Sequence, residues 1–208
     1  MPSLPRVILV GGAPLSGKTT LGVGIARRLG IDHIATDDLS TAVRAITDAD
    51  SHPALHVPDV DGSFSSTYAA QQPDRLLTDA VAFHRAIWPA IEPVILAHAT
   101  WDRPAVIEGW SLLPELLGGL GQRDVGALLV IPDEAVYERR CRADASFWEG
   151  ATDAEGLIRS FVARSIRFSR MLERSAMEHG VPILRPAPGS DLEETVDIAL
   201  KLLEPPAP

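Results

Sequence analysis

The sequence predicts an α/β fold in which five short parallel strands form a sheet covered by helices on both faces. Three observations point there. Five short aliphatic or β-branched runs recur along the 208 residues. Stretches with helical apolar spacing separate them. The first run ends in a glycine-rich turn, GGAPLSGKTT, that opens into such a stretch.

Taken in order, Arg6 to Gly12 (RVILVGG) is a continuous apolar run ending at glycine, the mark of a buried parallel strand. Leu21, Ile25 and Leu29 lie four apart on one stripe of the next helix, which should stop at Gly30. DHIAT (Asp32 to Thr36) reads as the second strand, with Asp38 or Ser40 capping a helix through TAVRAI. Residues 47–73 are polar, rich in Pro, Gly and Ser, and aperiodic. A loop of that length inside a compact domain usually carries function. From Asp74 to about Thr100 helical spacing returns, with Leu77, Val81, His84, Trp88 and Ile91 near one face. Pro89 and Pro93 are expected to kink or divide that helix. AVIEG (Ala105 to Gly109) is the third strand and VGALLVI (Val125 to Ile131) the fourth. Pro132 should start a helix through EAVYERRCR. A long helix from about Glu155 to His179 leads to the fifth strand, VPILR (Val181 to Arg185). The last helix should run from Ser190-Asp191 to Leu203, before a Pro-rich tail, 204–208, that frays. The whole, 1–208, reads as one domain.

Composition narrows the class. With 46% hydrophobic residues the chain can bury a real core. A formal charge of −9 argues against nucleic-acid or anionic-membrane partners, because both need a basic footprint. A lone cysteine, Cys141, rules out an internal disulfide framework and fits a reducing cytoplasm. The apolar run Val7 to Val10 is too short for a signal peptide, and no stretch is expected to approach the ~20 apolar residues that span a bilayer. Monomer and homodimer both remain open.

The turn matches Gly-x-x-x-x-Gly-Lys-Thr at Gly12, Gly17, Lys18 and Thr19. Between strand and helix, the backbone N–H groups of Gly12, Ala13, Pro14, Leu15, Ser16, Gly17, Lys18, Thr19 and Thr20 (Pro14 excepted) can wrap the phosphates of ATP. Lys18 would reach the β- and γ-phosphates, and the Thr19 hydroxyl would ligate Mg²⁺. A chance turn is the bland alternative, and the strand–turn–helix context argues against it. The Gly22-Val23-Gly24 triplet lies inside the helix and is no dinucleotide fingerprint, because Arg27 stands at the third glycine position.

Ligands in open α/β sheets bind at the carboxyl ends of the strands. Asp37 and Asp38 follow strand two, and Glu108 ends strand three. Asp37 is expected to accept the proton of an acceptor hydroxyl. Its bland role, and the stronger one for Asp38, is helix capping. Glu108 is costly to bury without a partner, so it is expected to hold a metal-bound water or a substrate hydroxyl. Arginines concentrate at Arg139, Arg140 and Arg142, then at Arg159, Arg164, Arg167 and Arg170. Residues 139–160 fit a lid that closes over the phosphates, with Arg139 and Arg142 sharing a helix face and touching the transferred group. The alternative is a solvated face paired with Glu138, Asp144 and Glu173. Arg44, His56, Tyr68, Gly109 and Trp110 complete the candidate acceptor contacts. Trp88, Trp101 and Trp148 read as packing residues, and His84 as a satisfied core histidine.

These stretches together resemble the P-loop small-molecule kinases of the nucleoside-monophosphate-kinase-like fold, and among them the 2-phosphoglycerate kinases. ILVGGAPLSGKTTLGVGIARRLGI, TDDLSTAVR, PALH with SSTY, AVIEGWSLLPEL and EHGVPIL fall in the family's order across most of residues 5–185. The resemblance implies a three-layer P-loop NTPase fold, ATP and Mg²⁺ at Gly12 to Thr19, an acceptor site around Asp37, Arg44 and Glu108, and a closing lid near Arg139 to Arg142. It also implies transfer of the γ-phosphate to a hydroxyl of a small metabolite, 2-phosphoglycerate-like. The chain departs from the family at Ser40, where a basic residue is usual, and at Trp110-Ser111, where a small apolar residue and a histidine are usual. APLS also replaces the usual glycine-containing turn. These departures fall where an acceptor would be read and point to a less charged, larger or more apolar alcohol. A kinase for a sugar, nucleoside or antibiotic remains an alternative, as does a nucleotide-binding switch. Against a GTPase stands the absence of an Asn/Thr-Lys-x-Asp stretch near strand four.

Overall fold

The computed structural model describes residues 4–56, 71–101, 103–120, 124–144, 148, 151, 153–187 and 189–204. Strand β1 (Val7–Gly11) is the centre of a five-stranded sheet. It lies between β3 (Ala105–Gly109) and β4 (Val125–Val130), with β2 (Asp32–Ala35) and β5 (Ile183–Leu184) at the edges, in the order β2-β3-β1-β4-β5. Every pairing is parallel. This is the P-loop α/β fold expected from the sequence.

Alternating side chains of β1 feed both layers, as the two-residue repeat of a strand requires. Ile8 and Val10, with Val106 and Leu128, face Leu21 and Ile25 of α1 (Lys18–Leu29) and Val196 and Ala199 of α7 (Leu192–Leu203). Val7 and Leu9, with Ala105 and Ile107, face Ile87, Ile91 and Ile95 of α3 (Pro73–Thr100). Beside α3, the long helix α6 (Ala154–His179) packs Phe161, Phe168 and Leu172 against Leu113, Leu129 and Tyr137 of α5 (Glu134–Ala143). Each fully buried aliphatic side chain of β1 contributes about 1.5–3 kcal/mol. Helix α2 (Thr36–Ala45) follows β2 without a loop, and a short α4 (Pro114–Leu117) follows β3.

Several expectations are corrected. Thr36 belongs to α2, not to β2, so Asp37 and Asp38 sit in the first helical turn and neither they nor Ser40 caps it. Ser40 instead donates its hydroxyl to the Thr36 carbonyl at 2.9 Å. The α5 helix begins at Glu134 rather than Pro132, and β5 keeps two of its five expected residues. Pro89 and Pro93 lie inside one unbroken α3. Both are exposed, so the carbonyls they leave without a helical donor face the wet side, where water can serve them. By length and composition α3 is apolar enough to cross a membrane, contrary to the sequence reading; its Ile87, Ile91 and Ile95 pack on the sheet.

Register sets the site. Val10 pairs with Glu108 and Gly11 with Gly109, while Ala35 also pairs with Glu108. The glycine-rich turn, Glu108 and the start of α2 therefore meet at one edge, at the carboxyl ends of three adjacent strands.

Candidate active site

The turn after β1 has the backbone of an anion cradle. Gly12 has φ 149° and Gly17 φ 100°, values that side chains rarely allow. A Cβ on Gly12 would also lie 2.6 Å from the Val130 carbonyl and 2.7 Å from Ser16 Oγ. Leu15 occupies the left-handed region at φ 64°, at a cost of about 1–2 kcal/mol for a side-chain-bearing residue. Helix α5 holds the loop from behind. The Tyr137 hydroxyl donates to the Pro14 carbonyl and an Arg140 guanidinium N–H to the Ser16 carbonyl, both at 2.6 Å. Burial pushes the Tyr137 phenol pKa up, so it stays a donor. Within the loop the Ser16 N–H donates to the Ala13 carbonyl at 3.1 Å.

A cavity of about 770 Å³ opens over this cradle. Leu15 to Thr20 floor it, Arg139 and Arg140 flank it, and Pro186, Ala187, Gly189, Ser190 and Thr195 close its far side, with Asp191 and Leu192 at the start of α7. A second cavity, about 320 Å³, is lined by Asp37, Ser40, Thr41 and Arg44 of α2, by Phe83, Trp110, Phe161 and Arg164, and by Pro14. The α2 residues fall at i, i+3, i+4 and i+7, one helix face. Lys18, itself buried, lines both cavities.

Glu108 sits behind Lys18 with 3% of its surface exposed. Burial raises its carboxyl pKa above the ordinary range; the Lys18 ammonium, a hydrogen bond from Thr19 and the His33 ring oppose that, and Asp37 adds to it. His33 Nε2 is 3.9 Å from Oε1. Oε2, like Ser16 Oγ and Thr36 Oγ1, has no hydrogen-bond partner among the described residues. Three orphaned buried oxygens at one strand edge are what a site for a hydrated cation and phosphate leaves behind. Thr19 and Glu108 fit Mg²⁺, which takes few protein oxygens and keeps several waters. Gly109 is required by packing, since a Cβ there would lie 1.7 Å from Thr36 Oγ1.

Other predicted site residues are placed as follows. Arg139 lines the larger cavity, but Arg142, three residues on in α5, pairs with Glu138 at 2.9 Å and Glu155 at 2.7 Å and lines neither cavity. His56 bonds Thr47 Oγ1 at 2.9 Å and does not line the smaller cavity. Tyr68 and most of the 47–73 loop lie outside the described residues, as does part of the 139–160 lid. Trp110 lines the smaller cavity and meets the His84 ring edge-on at 4.2 Å. His84 bonds Ser111 Oγ at 2.9 Å, while its Nε2 lacks a partner among the described residues, so it is half satisfied. Burial, and then the Arg164 guanidinium, push its pKa down to about 3. Trp88 and Trp148 are buried; Trp101 is 52% exposed and is not a packing residue of the core.

The sequence reading did not name Tyr137, and it named Arg140 and Arg164 only as members of the arginine cluster. Arg164 carried a signal. It falls on the stripe Leu157, Phe161, Phe168, Leu172 of α6, where a charge has no structural excuse. It is 1% exposed, with its guanidinium carbon 4.9 Å from the Phe161 ring centroid and 5.3 Å from that of Trp110.

Comparison with known proteins agrees with the fold. The chain is 26% identical over 212 residues to a 2-phosphoglycerate kinase of Methanothermobacter thermautotrophicus, covering 96% of this chain. Five further curated relatives bear the same name, at 24–31% identity. The chain spans 62–65% of the length of these relatives. Among solved structures it resembles a gluconokinase from Sinorhizobium meliloti (TM-score 0.56, 18% identity, 96% of this chain and 92% of that one). It also resembles a shikimate kinase from Bacteroides thetaiotaomicron (TM-score 0.55, 16% identity, 95% and 97%). No family model matches the chain.

Proposed function

We propose that this protein transfers the γ-phosphoryl group of ATP to a hydroxyl of a small metabolite. The observation that carries the reading is that Lys18 lines both cavities, so one ammonium faces the donor on one side and the acceptor on the other. The larger cavity would take the nucleotide, with its phosphates on the loop amides and Lys18. The acceptor hydroxyl would lie in the smaller cavity against Asp37. Its oxygen attacks the γ-phosphorus, the bond to the β–γ bridging oxygen breaks, ADP leaves, and the hydroxyl proton passes to Asp37. Arg139 and Arg140 flank the donor phosphates and offset their charge. Mg²⁺, held by Thr19 and through water by Glu108, would supply charge neutralisation on the phosphates. Arg142, paired with two carboxylates, would have to exchange them to take part.

The reading carries with it a small-molecule acceptor, ATP with Mg²⁺, a lid within 139–160 and a cytoplasmic setting. A pure nucleotide switch has no use for a second cavity with a carboxylate against the phosphate-binding lysine, which favours transfer. The name shared by the curated relatives makes 2-phosphoglycerate the first acceptor to try. The test is ADP release with ATP and Mg²⁺ against a panel of phosphorylated and plain hydroxy compounds. At least one acceptor should raise release above the acceptor-free rate, and Lys18→Ala should abolish the increase. Tight ATP binding with no response to any acceptor would replace the kinase by the switch.

A further inference from the structure

We propose that the acceptor is a hydroxy acid carrying one anionic group on a cyclic or otherwise apolar body, rather than a doubly charged phosphorylated hydroxy acid. This rests on the kinase reading and asks what fills the smaller cavity.

Its walls are aromatic. Phe83 and Trp110 stand with ring centroids 6.3 Å apart and planes 30° from parallel, and Phe161 joins them. At about 320 Å³ the space is at the lower end of ligand pockets, which run to roughly 300–1,000 Å³. A compact polyanion has no apolar surface to lay on these rings. It would lose water from its charges against them with nothing in return.

The charges agree. The cavity is lined by Lys18, Arg44 and Arg164 against Asp37. Lys18 is shared with the donor phosphates, so at most three cations, offset by one carboxylate, face the space among the described residues. Arg164 is buried and stacked on Trp110 and Phe161, so its planar fork is fixed before any ligand arrives. Arg44 is exposed at the other end of the α2 face. A phosphate ester brings about −1.5 to −2 charges at pH 7, and a carboxylate beside it one more. That load exceeds what the described lining balances. The stretch 57–70, outside the described residues, contains no lysine or arginine and so adds no cation. Ser40 brings only a small hydroxyl to the cavity.

Binding to the protein should be measured by calorimetry, and ADP release in parallel, with four probes. These are 3-phenyllactate, 4-hydroxycyclohexanecarboxylate, 2-phenylethanol and 2-phosphoglycerate. At least one of the two hydroxy acids should bind about tenfold or more tighter than 2-phenylethanol and than 2-phosphoglycerate. Arg164→Gln should remove that advantage over the neutral alcohol. Arg44→Gln, at an exposed position that folding does not depend on, should reduce it in the same direction. Trp110→Leu should weaken binding of the ring-bearing acids, and Trp110→Phe should retain it. Tighter binding of 2-phosphoglycerate, or equal binding of the acids and the neutral alcohol, overturns the inference. If 2-phosphoglycerate is rapidly phosphorylated, the kinase reading stands and this inference falls. If the hydroxy acids bind as described but no probe of the wider panel raises ADP release, the kinase reading falls and the cavity's preference stands.

Discussion

Glu108 is held against its own solvation, and that makes it a good place to separate stability from function. Its folded pKa is raised above the unfolded value of about 4.3. The folded state therefore holds the proton more tightly, and its stability falls as pH rises through the folded pKa. Glu108→Gln does not ionise and escapes that loss. Its melting temperature should exceed the parent's at pH 7.5, with the gap closing near pH 4, while turnover falls about 10–100-fold. His84 behaves in the opposite sense. Its folded pKa, about 3, is depressed below an unfolded value of 6.5. Stability is then present above pH 6.5 and lost as pH falls toward 3. In urea titrations at pH 7, 6 and 5, unfolding free energy should fall by up to about 1.4 kcal/mol per unit, and His84→Gln should flatten that slope. Asp37→Asn should lower kcat by about 10²–10⁴-fold and leave ATP affinity nearly unchanged. At this scale Lys18, Thr19, Asp37 and Glu108 were legible because strand ends and a phosphate motif announce themselves in sequence. The arginines were not. Counting them favoured the exposed cluster, yet Arg142, Arg167 and Arg170 pair with carboxylates, while Arg140 and Arg164 turn inward. Only the helical stripe through Arg164 distinguishes it, and spacing alone does not show that a second helix closes over it.

Helix α5 shows how one element shapes another. Its Tyr137 and Arg140, three apart, hold the carbonyls of Pro14 and Ser16 and so keep the phosphate loop in place. Tyr137→Phe leaves the ring packing intact and removes one hydrogen bond of about 1 kcal/mol. ATP affinity, measured by calorimetry, should drop about fivefold, and the melting temperature should fall by about 2–4 °C. Most elements were visible in the apolar periodicity: the centre of the sheet is β1, β3 and β4, all continuous aliphatic runs. The failures fall where tertiary contacts override local chemistry. Asp38 and Ser40 have capping chemistry, but β2 runs straight into α2 and places them inside the first turns. Pro89 and Pro93 break isolated helices, but on the exposed face of a helix anchored by Ile87, Ile91 and Ile95 they are tolerated. The shortness of β5 follows from its place at the edge, beside β4 alone.

Across the whole molecule, strand order does the organising. Placing β1 beside β3, and β3 beside β2, brings a phosphate loop, a buried glutamate and an acidic helix start to one edge. The two cavities meet there at Lys18, the larger walled by α5 and the start of α7, the smaller by α2, α3 and α6. The floor of the larger one is legible in sequence because it is one contiguous motif, Leu15 to Thr20. The smaller one is assembled from residues between 14 and 164, and its lining appears only when they are folded together. The most direct measurement is ³¹P NMR of the protein incubated with ATP, Mg²⁺ and a hydroxy-acid acceptor. The account predicts a new phosphomonoester resonance growing in step with ADP, and absent with Lys18→Ala. ADP accompanied only by inorganic phosphate, with every acceptor offered, would contradict it.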